Sequence, residues 1–514
     1  ESRDDQSVSY RYSPLGNLTR MTSSLGAAVD YTYDPTGILQ SIAAQTGSDT
    51  PWQAEMQFDL FGRESKRQMS GGLEMTFDYD RVGRPNSQQV RRNGKDTFRR
   101  GYVWRDDLQL AEVTDALKGI TTSFEYDAFG SLSSAQCGNG QIEYKNPDAM
   151  GNIYDSLDRS DRIYHAGGQL YKDKEYYYYY DERGNLVLKT KRKIDREAFV
   201  RESKKERKNF FYLLVLEEDE EKKQETRKQG LSRSVEWRPG DQSFSWGADG
   251  TLLSVREPDG KVISFEYDAL GRRTSKSCAS KKYHYLWSGN VLLHEWEEEE
   301  TDHVVTWVYN LGEYVPCARI QDGKAHTVIS DYMGRPVQAY DQDEGKVWEA
   351  DYDIYGGLRA LKGDREFIPF RQLGQYEDSE TGLYYNRFRY YDTGTGSYIS
   401  QDPIGLEGSN ATLYAYICNS NIELDLFGLA INIVIREAEH LIIGKSISFK
   451  KAIEIIRKGG NVIASSKAEA NKLAKRALRG KVMKHHGHLL PNGNKGLPHV
   501  HPNNHSNTSH VFYK

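Results

Sequence analysis

The sequence predicts a mainly β fold: a long run of strand-and-turn repeats forming an extended sheet, then a small C-terminal α/β or α+β domain of different chemistry. Three observations carry this expectation. An aromatic or apolar alternation ending in Tyr-Asp-x-x-Gly recurs over residues 1–365. The composition, 35 Tyr and 46 Gly against 14 Pro in 514 residues, favours short strands and glycine turns over helices or proline-rich disorder. Charge and tyrosine usage both change at about residue 430.

The clearest repeat copies are YTYDPTG at 31–37, FDYDRVG at 77–83, FEYDAFG at 124–130, YYYDERG at 178–184, FEYDALG at 265–271 and ADYDIYG at 350–356. Weaker ones are YRYSPLG at 10–16, MQFDLFG at 56–62 and FSWGADG at 244–250. Alternation sends one set of side chains to one strand face, Asp bonds nearby backbone, and Gly supplies the positive φ of the turn. A single hairpin cannot bury its aromatic face, so successive units must stack into one sheet. An ordinary β-sandwich or propeller is the competing architecture. The repeats resemble the YD-repeat shell of Rhs proteins, insecticidal toxin complexes and teneurins. That resemblance implies a sheet spiralling into a hollow cocoon around a C-terminal effector. About 430 residues are short for a whole cocoon, so upstream sequence or a partner chain is expected to complete it.

Residues 187–235 interrupt the repeats with a dense run of mixed charge. Such runs are solvated hairpins, surface helices or disordered loops, and no chemistry is assigned to this one. Within it, NFFYLLVLE at 209–217 reads as a strand. The four cysteines, Cys137, Cys278, Cys317 and Cys418, form no C-x-x-C pair, which argues against a zinc ribbon and a dense disulfide framework. No run of about 18 apolar residues is present to span a membrane. The opening ESRDDQSVSY lacks the basic and apolar regions of a signal peptide. Because the chain starts at Glu1, any export signal further upstream is not read from it.

The strongest motif lies in 374–429, and residues 366–429 are taken as one domain. Asp402-Pro403-Ile404-Gly405 and Asp425-Leu426-Phe427-Gly428-Leu429 form a pair of D-P-x-G-like turns with their aspartates 23 positions apart. The segment resembles the Rhs core-associated domain. That resemblance implies that Asp402 and Asp425 act as an aspartyl protease on their own chain, that Arg389 is required beside them, and that the cut falls between Leu429 and Ala430. Two close carboxyls do not both ionise easily; sharing one proton leaves a base for water and an acid for the leaving group. Arg389 can hold one carboxylate charged or steady the oxyanion with a planar fork that Lys lacks. Leu426 departs from the family's usual Pro, which would fix φ in the second turn. The bland reading is that both aspartates only shape turns.

Residues 430–514 carry 15 Lys and Arg against 4 Asp and Glu, net +11, leaving 54 against 70, net −16, for the rest. Tyr513 is the one tyrosine beyond residue 429. A strand is expected near 431–435, a helix at 449–459, a strand at 461–465, and a second helix from Ser466, whose Glu469 has capping-box spacing. Seven histidines crowd the end: His485, His486, His488, His499, His501, His505 and His510. An extended PHVHP puts His499 and His501 on one face. Such a pair can act as base and acid on a ribose 2′-hydroxyl and its leaving oxygen without metal, with Lys484 or Lys495 on the phosphate. The tail also resembles small toxin nucleases, some of barnase-like or endoribonuclease fold; this extends a role to the late histidines, including His485, His486 and His510, and to Tyr513. The competing readings are adventitious metal binding by a His-rich tract, a polar loop, and basic charge that merely complements an acidic shell.

The leading functional expectation is therefore a caged nuclease toxin that needs no cofactor and acts on RNA ahead of DNA. From the resemblance follow secretion through dedicated machinery or a toxin-complex partner, as in type VI secretion and interbacterial competition, delivery to a target-cell cytoplasm, and a cognate immunity protein. One alternative is a metal-dependent DNase with His485, His486, His488 or His505 as ligands. Another is an adhesion or toxin-complex shell with a non-nuclease toxic tail.

Overall fold

The computed structural model describes residues 2–3, 6–47, 51–194, 237–343, 345–372, 374–405 and 412–429, and the strands Asn432–Glu437, His440–Lys445, Val462–Ala464, Val482–His485, His499–Pro502 and Val511–Tyr513. The chain forms two compact units, Glu1–Leu406 with Asn410–Gly444, and Glu407–Ser409 with Lys445–Lys514.

The first unit is a YD-repeat β-structure. Its strands from Ser2–Arg3 to Ile142–Tyr144 make a 14-stranded sheet, and those from Ile163–His165 to Leu358–Lys362 a 16-stranded one, each in strict chain order. The repeat turns explain the motif atom by atom. In the copy at 77–83, Asp80 Oδ1 accepts the Val82 and Arg84 amides, both at 2.9 Å, and Gly83 adopts φ 90°. Where position i+4 is Arg, it takes the second carboxylate oxygen, as in Asp59–Arg63, Asp80–Arg84, Asp268–Arg272 and Asp331–Arg335. The tyrosine before Asp reaches back to the start of the preceding strand. The hydroxyls of Tyr33, Tyr79, Tyr126, Tyr267 and Tyr352 donate to the carbonyls of Leu18, Glu64, Leu110, Leu252 and Pro336 at 2.6–2.8 Å. Each of these copies is thereby tied to the strand before it by a bond that phenylalanine cannot make; the copy at 56–62, with Phe58 in that place, lacks it.

The two sheets share one apolar core containing Ile42, Trp52, Val90, Trp307, Ala339 and Trp348. Polar links cross it: Trp52 Nε1 donates to Thr327 Oγ1 at 2.9 Å, and Gln88 Nε2 to the Ser330 carbonyl at 2.8 Å. A separate four-stranded sheet, Tyr376–Asp378, Leu383–Asn386, Arg389–Asp392 and Ser397–Tyr398, packs Leu383, Tyr385 and Tyr390 against Leu188, Val255 and Phe265 of the larger sheet.

One boundary needs correction. Leu186–Thr190 is a strand paired with Tyr177–Tyr180 and with Gln242–Trp246, because its consecutive Leu186, Val187 and Leu188 are buried in the local core; the charged insertion therefore starts after residue 190, not at 187. Most of that insertion, including 209–217, lies outside the described residues, as do both expected C-terminal helices. The expected strands near 431–435 and 461–465 are observed as Asn432–Glu437 and Val462–Ala464. The four cysteines are free thiols. Among the described residues no helix is long and apolar enough to cross a membrane.

Candidate active site

Arg389 opens the third strand of the small sheet, while Asp402 and Asp425 each begin a turn. Asp402 uses its Oδ1 to accept the Ile404 amide at 3.0 Å, and its carbonyl accepts the Gly405 amide at 2.9 Å. Asp425 repeats the chemistry of the YD turn: its Oδ1 accepts the amide four residues on, Leu429, at 2.9 Å, and Gly428 has φ 66°. Here, however, position i+4 is leucine rather than arginine. Its second oxygen is left for a partner from elsewhere in the fold.

That partner is Arg389. Its Nη2 lies 3.0 Å from Asp402 Oδ2 and 3.1 Å from Asp425 Oδ2, and the three side chains are at most 1% exposed. One guanidinium nitrogen thus holds both carboxylates in a buried site. The same guanidinium donates through Nε to the Gly428 carbonyl and lies over the Tyr398 ring, 3.6 Å from its centroid. Together Asp425 and Arg389 grip the Gly428–Leu429 peptide by its N–H and its C=O, one peptide before the expected cut. Ala430 lies outside the described residues.

Sequence reasoning missed two members. Tyr398 donates its hydroxyl to Asp425 Oδ2 at 3.0 Å. Asn386 Nδ2 donates to the Tyr398 hydroxyl at 2.6 Å and to the Asp425 carbonyl at 2.7 Å. Burial, and then the Asp425 charge, push the Tyr398 phenol well above its ordinary range, so it stays a donor. Tyr398 packs with Tyr384, Tyr391, Tyr416 and Ile417, in a stretch so rich in tyrosine that nothing in the sequence singles it out.

Leu426, where the family's usual residue is Pro, is buried with Val315 and Leu424, and the neighbouring Phe427 meets the Tyr314 ring edge-on at 5.6 Å. A leucine here is anchored by packing instead of by a fixed φ. In the C-terminal region, Val482–His485 pairs antiparallel with His499–Pro502, making His485 and His499 register partners, Lys484 opposite Val500 and His501 opposite Met483. Tyr513 pairs in register with Ala464. His486, His488, Lys495, His505 and His510 lie outside the described residues.

The Teneurin YD-shell family matches residues 230–416. "Double-stranded DNA deaminase toxin A" of Burkholderia cenocepacia (strain H111) is 26% identical over 487 residues, covering 82% of this chain and 30% of its own length. "Probable deoxyribonuclease RhsA" of Dickeya dadantii (strain 3937) is 26% identical over 406 residues, covering 77% of this chain and 25% of its own. The chain thus spans a quarter to a third of these relatives. A crystal structure of TcdB2-TccC3-Cdc42 superposes with TM-score 0.57 at 17% identity, covering 82% of this chain and 21% of that one, a likeness of fold. With its D-x-x-G repeats and two long sheets in chain order, the chain has the fold of a YD-repeat shell and is similar to the Rhs proteins among these relatives.

Proposed function

We propose that this chain is part of a polymorphic toxin whose YD shell cuts itself after Leu429 and frees a nuclease. The observation that carries the first half is the buried cluster in which Arg389 joins Asp402 and Asp425 while Asp425 and Arg389 hold the Gly428–Leu429 peptide. One carboxylate takes a proton from water as its oxygen attacks the Leu429 carbonyl carbon. The other, protonated, gives its proton to the Ala430 nitrogen as the C–N bond breaks. The products are the Leu429 carboxyl and the Ala430 amine. Arg389 opposes the negative charge that builds in between. Asp402→Asn or Asp425→Asn should leave a full-length band on a denaturing gel; cutting that persists in both variants removes the proposal.

For the released domain, residues 430–514, we propose a metal-free ribonuclease using His499 and His501, with His485 as a neighbour through strand register and net charge +11 favouring a polyanion. Lys484 or Lys495 would hold phosphate. Delivery into a target-cell cytoplasm by secretion machinery or a toxin-complex partner, and neutralisation by an immunity protein, belong to the same proposal. The names of the two relatives concern DNA, which favours one second reading, a metal-dependent DNase. The fragment should degrade RNA in EDTA and lose this with His499→Ala and His501→Ala; EDTA-sensitive loss of plasmid instead selects the second reading.

A further inference from the structure

Within the proposed protease, the hydrogen-bond directions distinguish the two aspartates. The Asn386 side-chain amide has donors only at Nδ2, and these reach the Tyr398 oxygen and the Asp425 carbonyl. The Tyr398 oxygen is therefore used as an acceptor by Asn386, and its single hydrogen is left to point at Asp425 Oδ2. Arg389 donates to that same oxygen, and the Leu429 amide to the other. Both Asp425 oxygens thus accept from fixed donors, which favours the ionised carboxyl; Asp402 likewise takes the Ile404 amide on Oδ1 and faces Arg389 with Oδ2, so the Tyr398 hydroxyl is the added donor on the Asp425 side.

Resting on the self-cleavage reading, we infer that Tyr398 and Asn386 are positioning residues that hold Asp425 as the ionised member of the pair, so that Asp402 carries the shared proton. The charged and titratable groups facing Asp425 are Arg389 and Asp402, which meet at one guanidinium nitrogen, together with Tyr398 and Tyr416. Arg389 is common to both aspartates. Tyr398 is what tells them apart: its hydroxyl bonds Asp425, and its ring carries the guanidinium, 3.6 Å from the centroid. Asn386 adds a clamp on the backbone of the same turn, since its Nδ2 donates to the Asp425 carbonyl at 2.7 Å.

The test is Tyr398→Phe, which keeps the ring under Arg389 and its packing against Tyr391 and Tyr416 but deletes the hydroxyl. Full-length chain is made by cell-free translation, and the appearance of the 1–429 fragment is timed between pH 5.5 and 8.5. Losing a hydrogen bond to a charged group should slow cutting by roughly 10- to 100-fold. The limb of the pH profile set by Asp425 should also move to higher pH, because a carboxylate with one donor fewer binds a proton more readily. Asn386→Ala, which frees the hydroxyl to rotate, should move the profile the same way. Unchanged rate and profile in Tyr398→Phe overturns the inference. So does slower cutting with the parent's profile, which marks a packing role alone. The controls Asp402→Asn and Asp425→Asn separate the levels: if they still cut, the protease reading itself fails and takes this inference with it; if they do not cut and Tyr398→Phe behaves as the parent, only the positioning role is lost.

Discussion

Replacing Arg389 by methionine keeps most of the side-chain volume and removes the one cation that joins Asp402 to Asp425. The residue is fully buried and its Nη2 stands 3.0 and 3.1 Å from the two carboxylates, so no water replaces it without opening the site. Stripping one partner from a buried ion pair costs about 3–5 kcal/mol, whereas exchanging the whole set for neutral groups of similar size costs far less. Three uncut proteins should reveal this: Arg389→Met alone, Asp402→Asn with Asp425→Asn, and all three changes together. Although it carries the most substitutions, the triple variant should be more stable than Arg389→Met by about 2–4 kcal/mol, the coupling expected when the orphaned charges are removed. Urea unfolding followed by the fluorescence of the eight tryptophans measures it. A triple variant no more stable than Arg389→Met would refute the idea that this guanidinium exists to balance that pair.

Gly428→Ala should slow cutting and cost about 1–3 kcal/mol, since φ is 66° and the new Cβ would meet the Asn386 carbonyl at 2.8 Å; fragment yield and urea midpoint read both effects. Burial holds His294 down at about 4, so between the unfolded value near 6.5 and that value the unfolded chain binds a proton the folded one refuses. Stability from this group is present at neutral pH and lost as pH falls through the window, and His294→Gln should shrink the loss between pH 7 and 4.5 by about 2–3 kcal/mol. Trp52, fully buried between the two sheets with its Nε1 on Thr327, should cost about 3–5 kcal/mol as Trp52→Ala, seen as a lower urea midpoint.

The repeat turns were legible because their chemistry is local: Asp bonds amides two and four residues ahead and Gly takes the positive φ, so the seven-letter motif and the residue after it contain the whole device. The tyrosine's purpose was not, since its partner carbonyl lies 15 or 16 residues upstream, across a strand whose register the motif does not state. The same limit divides the candidate site. Asp402, Asp425 and Arg389 are named through the resemblance of their segment to the Rhs core-associated domain, and the fold brings both carboxylates onto one Arg389 nitrogen. Tyr398 and Asn386 are ordinary strand residues in sequence; they join only because one small sheet sets Leu383–Asn386 beside Arg389–Asp392 and that beside Ser397–Tyr398. In the C-terminal region His499 and His501 were paired by simple alternation, whereas the alignment of His485 with His499 depends on a strand pairing across more than a dozen residues.

Because both long sheets keep their strands in chain order, each new strand needs only the one made just before it as a template, and the closures span short loops except where the insertion separates Leu186–Thr190 from Gln242–Trp246. Assembly can therefore keep pace with synthesis, adding hairpins one at a time with little entropy spent on distant closures. The small sheet and its two aspartate turns come last, and they pack on strands that must already be in place. The order of emergence is thus a timer: the proposed cutting site is finished only after the wall that supports it.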